Sequence, residues 1–124
     1  MSGDEITLQL PRERPFFGVA QLVVGGLAAR LELSFEQLED LQVALGELLE
    51  QRETEREITV SLQVQGDTIH AAVGPFDESL KRELARESGD AVGLRRVLET
   101  VVDGVEVTDR DGQPWVELTK AVQR

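Results

Sequence analysis

Near the start of the chain, apolar and polar residues alternate strictly. Glu5–Leu10 places its isoleucine and two leucines on one face, and a period of two is typical of a β-strand with one buried face. Pro11 ends this strand, because proline cannot donate a hydrogen bond to a ladder. Pro15 then favours the start of a helix, since proline suits the first helical turn.

The predicted first helix runs from Pro15 to about Leu31. The apolar residues that it carries are Phe16, Val19, Leu22, Val23, Leu27 and Ala28. The pair Gly25-Gly26 costs about 1 kcal/mol per glycine relative to alanine in a helix interior. Such a pair is often kept for close packing, so the sequence predicts a buried helix.

A second helix is indicated by Ser34 and Gln37, which have the spacing of a capping box. Leucines at helical spacing follow, namely Leu38, Leu41, Leu45, Leu48 and Leu49. The helix is predicted to fray in the charged run between residues 51 and 57.

In the rest of the chain, the pattern of apolar and turn residues predicts four strands and two helices. Strands are expected at 58–64 and 69–73 with a turn at Gly66-Asp67, a short helix at about 79–87, a helix at 94–102, and strands at 105–108 and 115–121 joined by Asp111-Gly112. Each strand has one apolar and one polar face. We therefore predict an α/β fold of the α+β two-layer type, one domain over 1–124, with a mixed, mostly antiparallel sheet and helices on one face.

Composition narrows the classes of partner. The net charge of −11 argues against nucleic acid, which needs clustered Lys and Arg, and against anionic membranes. A basic protein partner or plain solubility fits better. There is no cysteine, and neither a membrane span nor a secretory signal is apparent. These features predict a cytoplasmic protein.

Two segments carry a resemblance to a known family. Residues 39–47, Glu-Asp-Leu-Gln-Val-Ala-Leu-Gly-Glu, and residues 98–107 with 116–120 resemble the first motif helix, the last helix and the closing strands of small anti-sigma-factor serine kinases. These belong to the GHKL, or histidine kinase-like ATPase, superfamily. The resemblance covers nearly the whole chain. It implies sigma factors or anti-sigma antagonists as partners, transcription regulation, and a homodimer.

In that family the motif helix carries a Glu that activates a water or hydroxyl, and an Asn four residues later that ligates Mg²⁺. Glu47 matches the first position, but Gln51 stands at the second. The extra methylene of Gln displaces its amide oxygen, and Mg²⁺ demands near-ideal octahedral geometry. Gln51 is therefore a poor replacement for the metal ligand.

The later family motifs also differ here. The adenine-reading Asp is missing from the strand end before Gly74, and Pro75 removes a backbone donor, so that Gly74 and Phe76-Asp77 are what remains. The phosphate-binding Gly-x-Gly is shifted, because Gly93 lies one residue out of register. The lid between these motifs is short and lacks the family's glycines.

These losses predict that the chain does not use ATP. Each lost charge-assisted hydrogen bond costs about 1.5–3 kcal/mol, so two or three losses weaken binding roughly a thousandfold or more. Glu47, Gln51, Gly74 and Gly93 are then vestigial, with no cofactor and no metal. The predicted function is a protein-binding regulator of the anti-sigma type. Alternatives are an active serine kinase with a divergent Mg-ATP site, and a small-ligand sensor.

Several residues are candidates for surface roles. Glu47 is a helix-end acid above a polar pocket, a retained catalytic residue or a partner contact. Trp115 is either an interface residue or ordinary edge packing, and Trp is enriched in interface hot spots. Arg95 and Arg96 open the helix where phosphates would lie; they either bind an anion or an acidic partner, or pair with nearby acids. The lone His70 is expected at the surface of the open sheet face, without a second histidine to share a metal.

Overall fold

The computed structural model describes residues 5–51, 56–85 and 93–122. Nine elements follow one another in the order β-α-α-β-β-α-α-β-β. Their bounds are β1 Glu5–Pro11, α1 Arg14–Arg30, α2 Phe35–Leu49, β2 Glu57–Gln65, β3 Thr68–Gly74, α3 Glu78–Ala85, α4 Leu94–Val101, β4 Gly104–Arg110 and β5 Gln113–Ala121. This order confirms the predicted one.

The five strands form one sheet in the order β1-β2-β3-β5-β4. All four strand pairs are antiparallel. The predicted α+β sandwich is therefore confirmed. Its expected mixed sheet is, in the part of the chain that the structure describes, antiparallel throughout. The chain order allows this because hairpins join β2 to β3 and β4 to β5, while α1 and α2 return the chain beside β1.

The tight turns follow the predicted chemistry. Asp111 and Gly112 have φ values of 53° and 80°, and two successive positive φ values are what a two-residue type I′ hairpin requires. Gly66 has φ 59° between β2 and β3. These residues fix the register of both hairpins.

The core lies between the helical side of the sheet and the helices. Ile58, Val60, Leu62 and Val64 alternate with half-buried or exposed polar residues along β2. Val116 and Leu118 do the same on β5. Because successive strand side chains point to opposite faces, the sheet keeps one apolar face under the helices and one polar face open.

The N-terminus of α2 forms the predicted capping box. The backbone N–H of Gln37 donates to the Ser34 hydroxyl at 3.1 Å, and the Gln37 amide oxygen accepts from the Ser34 N–H at 3.2 Å. Two of the N–H groups that a helix start leaves unpaired are thereby satisfied. The capping box therefore fixes the residue at which α2 begins. The position of the start in turn determines which residues lie at the C-terminal end of the helix.

The prediction for α1 is wrong in two respects. Only Ala20, Val24, Leu27 and Ala28 are buried, whereas Leu22 is 77% exposed. A Cβ added to Gly25 or Gly26 would meet nothing within 4 Å, so these glycines do not serve close packing within the chain. The uncharged run from Pro15 to Ala29 resembles a buried helix in sequence, but α1 covers the core with only one of its faces.

Candidate functional site

The motif helix α2 brings Glu47 and Gln51 to the edge of the region where a nucleotide would sit in a family member. Leu48 and Leu49 are buried in the core, which orients the helix end. Glu47 is half-buried, and no hydrogen bond or ion pair joins its carboxylate to the described residues. Its position is compatible with general-base chemistry, which needs a carboxylate within reach of a substrate hydroxyl.

Gln51 is turned back toward its own helix. Its side-chain amide nitrogen donates to the Glu47 carbonyl oxygen at 2.9 Å. The i to i+4 spacing permits this contact, because it follows one helical turn. The residue at the family's metal-ligand position therefore holds the end of α2. Among the described residues, no group of three or more His, Asp or Glu is placed to hold a metal ion.

Gly74, at the end of β3, lies beneath the indole of Trp115. A Cβ at this position would come within 2.5 Å of Trp115 Cδ2 and 2.7 Å of Cγ. The Arg110 guanidinium stacks over the Trp115 ring, 4.6 Å from its centroid. The glycine that resembles a remnant of a nucleotide motif is thus required here by an aromatic side chain.

Trp115 lies on the open sheet face, as predicted. Its strand neighbours Pro114 and Val116 are buried, whereas the indole remains half-exposed. Beside it, Glu117 accepts a hydrogen bond from Thr108 Oγ1 at 2.9 Å and lies 3.6 Å from Arg110 Nη2. The cluster is internally paired, and its role in partner contact stays a prediction.

The segment after Gly74 contacts both β5 and the connection between β1 and α1. Phe76 is 1% exposed, and its N–H donates to the Pro114 carbonyl at 2.8 Å. Arg12, from the β1–α1 connection, donates to the Pro75 carbonyl oxygen and lies 5.2 Å from the centre of the Phe76 ring. Sequence reasoning missed Arg12, since its partner lies far along the chain.

The phosphate-motif segment is described only from Gly93 onward. Gly93 is the N-cap of α4 and provides no side-chain cap. Arg95 donates to the Leu84 carbonyl at 2.7 Å and pairs with Glu99 at 3.3 Å, and Arg96 is exposed. The bonds of Arg95 agree with the pairing that the sequence offered as one alternative. The predicted short lid at 86–92 lies outside the described residues.

Two cavities are lined by described residues. One of about 420 Å³ lies among Ser34, Gln37, Asp40, Asp103 and Lys120, and one of about 480 Å³ lies between α3, α4 and β4. Neither contains Glu47 or Gln51 in its lining. His70 is half-buried on the open sheet face opposite Thr119.

A polar network that the sequence did not reveal lies at the other end of α2. The Lys120 ammonium is 14% exposed at its side chain and bonds to Asp40 at 3.0 Å and to the Val101 carbonyl at 2.9 Å. Gln37 Nε2 donates to the Ala121 carbonyl at 3.3 Å. These bonds join α2 to α4 and β5. No spacing in the sequence points to them, because the partners of α2 on β5 are about eighty positions away.

The chain is 30% identical to the serine-protein kinase RsbW of Listeria innocua, over 96% of this chain and 88% of that protein. This chain belongs to the RsbW family of serine-protein kinases. The RsbW of Halalkalibacterium halodurans is 27% identical over 98% of this chain and 85% of that protein. The predicted family is therefore confirmed. No family model matches the chain.

A solved structure supports the same fold. The RsbU and RsbW domains of a Mycobacterium tuberculosis protein align with a TM-score of 0.72 at 15% identity, covering 98% of this chain and 32% of that polypeptide. The chain thus spans about a third of that longer protein. None of the described helices is both long and apolar enough to cross a membrane.

The alignment to the Listeria innocua RsbW also shows a difference in length. It runs over 139 positions but takes in 96% of this 124-residue chain, which is about 119 residues. Roughly twenty aligned positions of that RsbW protein therefore have no counterpart here.

Proposed function

We propose that this chain is a protein-binding regulator of the anti-sigma, partner-switching type that acts without ATP. The observation that carries the proposal is the bond from the Gln51 amide nitrogen to the Glu47 carbonyl at 2.9 Å. It turns the Gln51 side chain back along its own helix, through the amide nitrogen and not through the oxygen that would ligate a metal. Mg²⁺ tolerates little departure from octahedral geometry, so a longer side chain held by its own helix is poorly suited to bind it.

Three further observations support the loss of nucleotide chemistry. Gly74 is covered by Trp115, and Pro75 has no N–H to offer a purine base. The roughly twenty missing positions suit a shortened lid, because only residues 86–93 connect α3 to α4. A lid normally excludes water and completes a phosphate site.

Without phosphate transfer, switching depends on competition. A sigma factor and an anti-sigma antagonist would share one surface of the chain, and the more abundant or tighter binder would displace the other by mass action. The net charge of −11 favours fast encounter with basic surfaces. ATP would change neither affinity.

The second candidate function is an active serine kinase. It is favoured by the retained carboxylate of Glu47, which is bonded to none of the described residues. The two functions separate in one assay. The chain is incubated with Mg-ATP and an anti-sigma antagonist from the same organism, and both complex formation and phosphorylation of the antagonist are measured.

We expect a stable complex with no phosphate transfer, and the Glu47→Gln variant should bind the antagonist equally well. Phosphorylation that disappears in Glu47→Gln would establish the kinase. Absence of binding to every antagonist and every sigma factor of the same organism would contradict the partner-switching proposal itself.

A further inference from the structure

The strand β4 leaves one edge of the sheet free. It lies at the end of the strand order and, among the described residues, pairs only with β5. In an antiparallel pair of strands, opposite residues alternate between those that exchange two hydrogen bonds and those that exchange none. The backbone N–H and C=O groups of the second kind point away from the neighbouring strand. On β4 they are therefore the groups that a further strand could bind.

Pro114 shows which residues of β4 these are. Asp109 lies opposite Pro114, which has no N–H to donate. The Pro114 carbonyl accepts from the Phe76 N–H, on the side of β5 that faces β3. Asp109 and Pro114 therefore form a pair without hydrogen bonds. Because this alternation has a period of two, the backbone groups of Val105, Val107 and Asp109 all point outward along the free edge.

A groove of about 480 Å³ runs beside this free edge, between β4 and the helices α3 and α4. Its floor is apolar, because Leu84, Val105 and Val107 line it. Val105 is buried and Val107 is partly buried against the core, so both side chains lie on the helical side of the sheet. A strand added along the free edge would place every second side chain on that side, and so in this groove.

The side chains beside the floor indicate what the groove accepts. Lys81 lines it from α3 and Arg95 lines it from α4, in a chain whose net charge is −11. Lys81 lies 3.5 Å from Asp109, and Arg95 lies 3.3 Å from Glu99. All four side chains are partly exposed, and ion pairs of this kind contribute little to stability. Both cations can therefore share an additional carboxylate at little cost.

The acidic Glu106, which also lines the groove, does not offset these cations. It lies between Val105 and Val107 on β4 and opposite Glu117 on β5. Because successive strand side chains point to opposite faces, its carboxylate lies on the open face of the sheet. The helical side of the groove thus combines an apolar floor with two cations. This combination is complementary to an acidic side chain with apolar neighbours.

We propose that the β4 edge binds an extended segment of a partner protein, which adds to the sheet as an antiparallel strand and places an acidic side chain between Lys81 and Arg95. In this mode of recognition, main-chain bonds give affinity and pockets for alternate side chains give specificity. The acidic residue lies opposite Val107, the middle one of the three outward-bonding residues. Its neighbours two positions away lie opposite Val105 and Asp109.

This inference goes beyond the proposed function. The free edge and the groove are the same whichever protein supplies the segment, and neither Glu47 nor Gln51 lines the groove. Binding here therefore requires no nucleotide. A basic segment is disfavoured, because its side chains would meet Lys81 and Arg95.

The test uses three blocked peptides of seven residues and the native chain. The first peptide has glutamate at its centre, valine two positions to either side and threonine elsewhere, so that one face matches the groove. The second has lysine in place of glutamate. The third is the first with N-methyl groups on the glutamate and both valines, which removes the main-chain donors that would face β4. An ionic strength of about 0.15 M screens repulsion from the net charge beyond about 8 Å.

Hydrogen exchange of single amides, measured by NMR, reports the register directly. The glutamate peptide should slow exchange at Val105 and Val107 roughly tenfold at nine-tenths occupancy, because only the unoccupied tenth then exchanges. The amides of Glu106 and Thr108 already bond to β5 and should not change. Neither the lysine peptide nor the N-methylated peptide should slow any of the four. If the glutamate peptide leaves Val105 and Val107 unchanged, or if either control peptide slows them equally, the proposal is overturned.

Two charge reversals on α3 test the groove cations. Lys81→Glu changes a residue that lines the groove, whereas Arg82→Glu changes its exposed neighbour outside the lining. We expect Lys81→Glu to weaken binding of the glutamate peptide at least about tenfold, because it places like charges together. Arg82→Glu should change the affinity less than about twofold. Circular dichroism confirms that both variants are folded. Equal effects of the two substitutions on binding would refute the role of the groove.

Discussion

At the scale of single residues, one side chain decides the identity of Gly74. The sequence suggests a glycine kept from a nucleotide motif, but Trp115 covers it so closely that any Cβ at this position would lie 2.5 Å from the indole. Trp115 follows forty-one positions later, so no local pattern could have shown the contact. Its origin in a nucleotide motif stays a prediction, whereas the contact that requires a glycine here is visible only in the fold.

Gly74→Ala should destabilise the protein by about 1–3 kcal/mol, because the new methyl group meets a rigid indole with little space to move. Gly25→Ala is the control. It adds a methyl group where nothing lies within 4 Å and should stabilise α1 by about 1 kcal/mol. Urea unfolding followed by the fluorescence of the single tryptophan measures both. A neutral Gly74→Ala would show that Trp115 does not constrain this position.

At the scale of elements, both ends of α2 are held by polar bonds. The capping box at Ser34 was predictable, because its partner lies three residues away. The bonds of Asp40 and Gln37 to β5 were not, because they depend on how α2 crosses the sheet. Gln51 lies between these cases: its spacing from Glu47 permits the observed bond but does not require it.

Asp40→Ala should cost about 1.5–3 kcal/mol of stability, because it removes a charge-assisted bond from a lysine whose side chain is only 14% exposed. Glu50→Ala removes the Arg14 pair, whose side chains are 82% and 50% exposed, and should cost less than about 1 kcal/mol. Thermal or urea unfolding measures the loss of stability in each of the two variants. Equal losses would mean that the Lys120 network contributes no more than a surface ion pair.

The helix α1 shows the limit of predicting burial from composition. Its boundaries were predicted well, because Pro15 marks the start and the apolar residues recur at helical spacing. Its burial was predicted wrongly, because the uncharged run from Pro15 to Ala29 looks the same in sequence whether it faces the core or solvent. The exposed flank containing Val19 is therefore where tertiary structure added most to the sequence.

At the scale of the whole molecule, the order of strands and helices was predictable from alternation and turn residues, and with it the RsbW-family fold. The sequence predicts the candidate site as a set of departures from the family pattern at Gln51, at the strand end before Gly74 and at Gly93. Their physical meaning was not predictable, since it depends on contacts between distant parts of the chain. The fold retains the motif helix, and in it Gln51 contacts the Glu47 carbonyl while Gly74 lies against Trp115.

Titration of the native chain with Mg-ATP by isothermal calorimetry tests the central claim that this helix has kept its structural role and lost its nucleotide chemistry. Loss of two or three charge-assisted bonds weakens a micromolar site to millimolar or worse. We therefore predict no saturable binding below about 1 mM. A dissociation constant in the low micromolar range would contradict it.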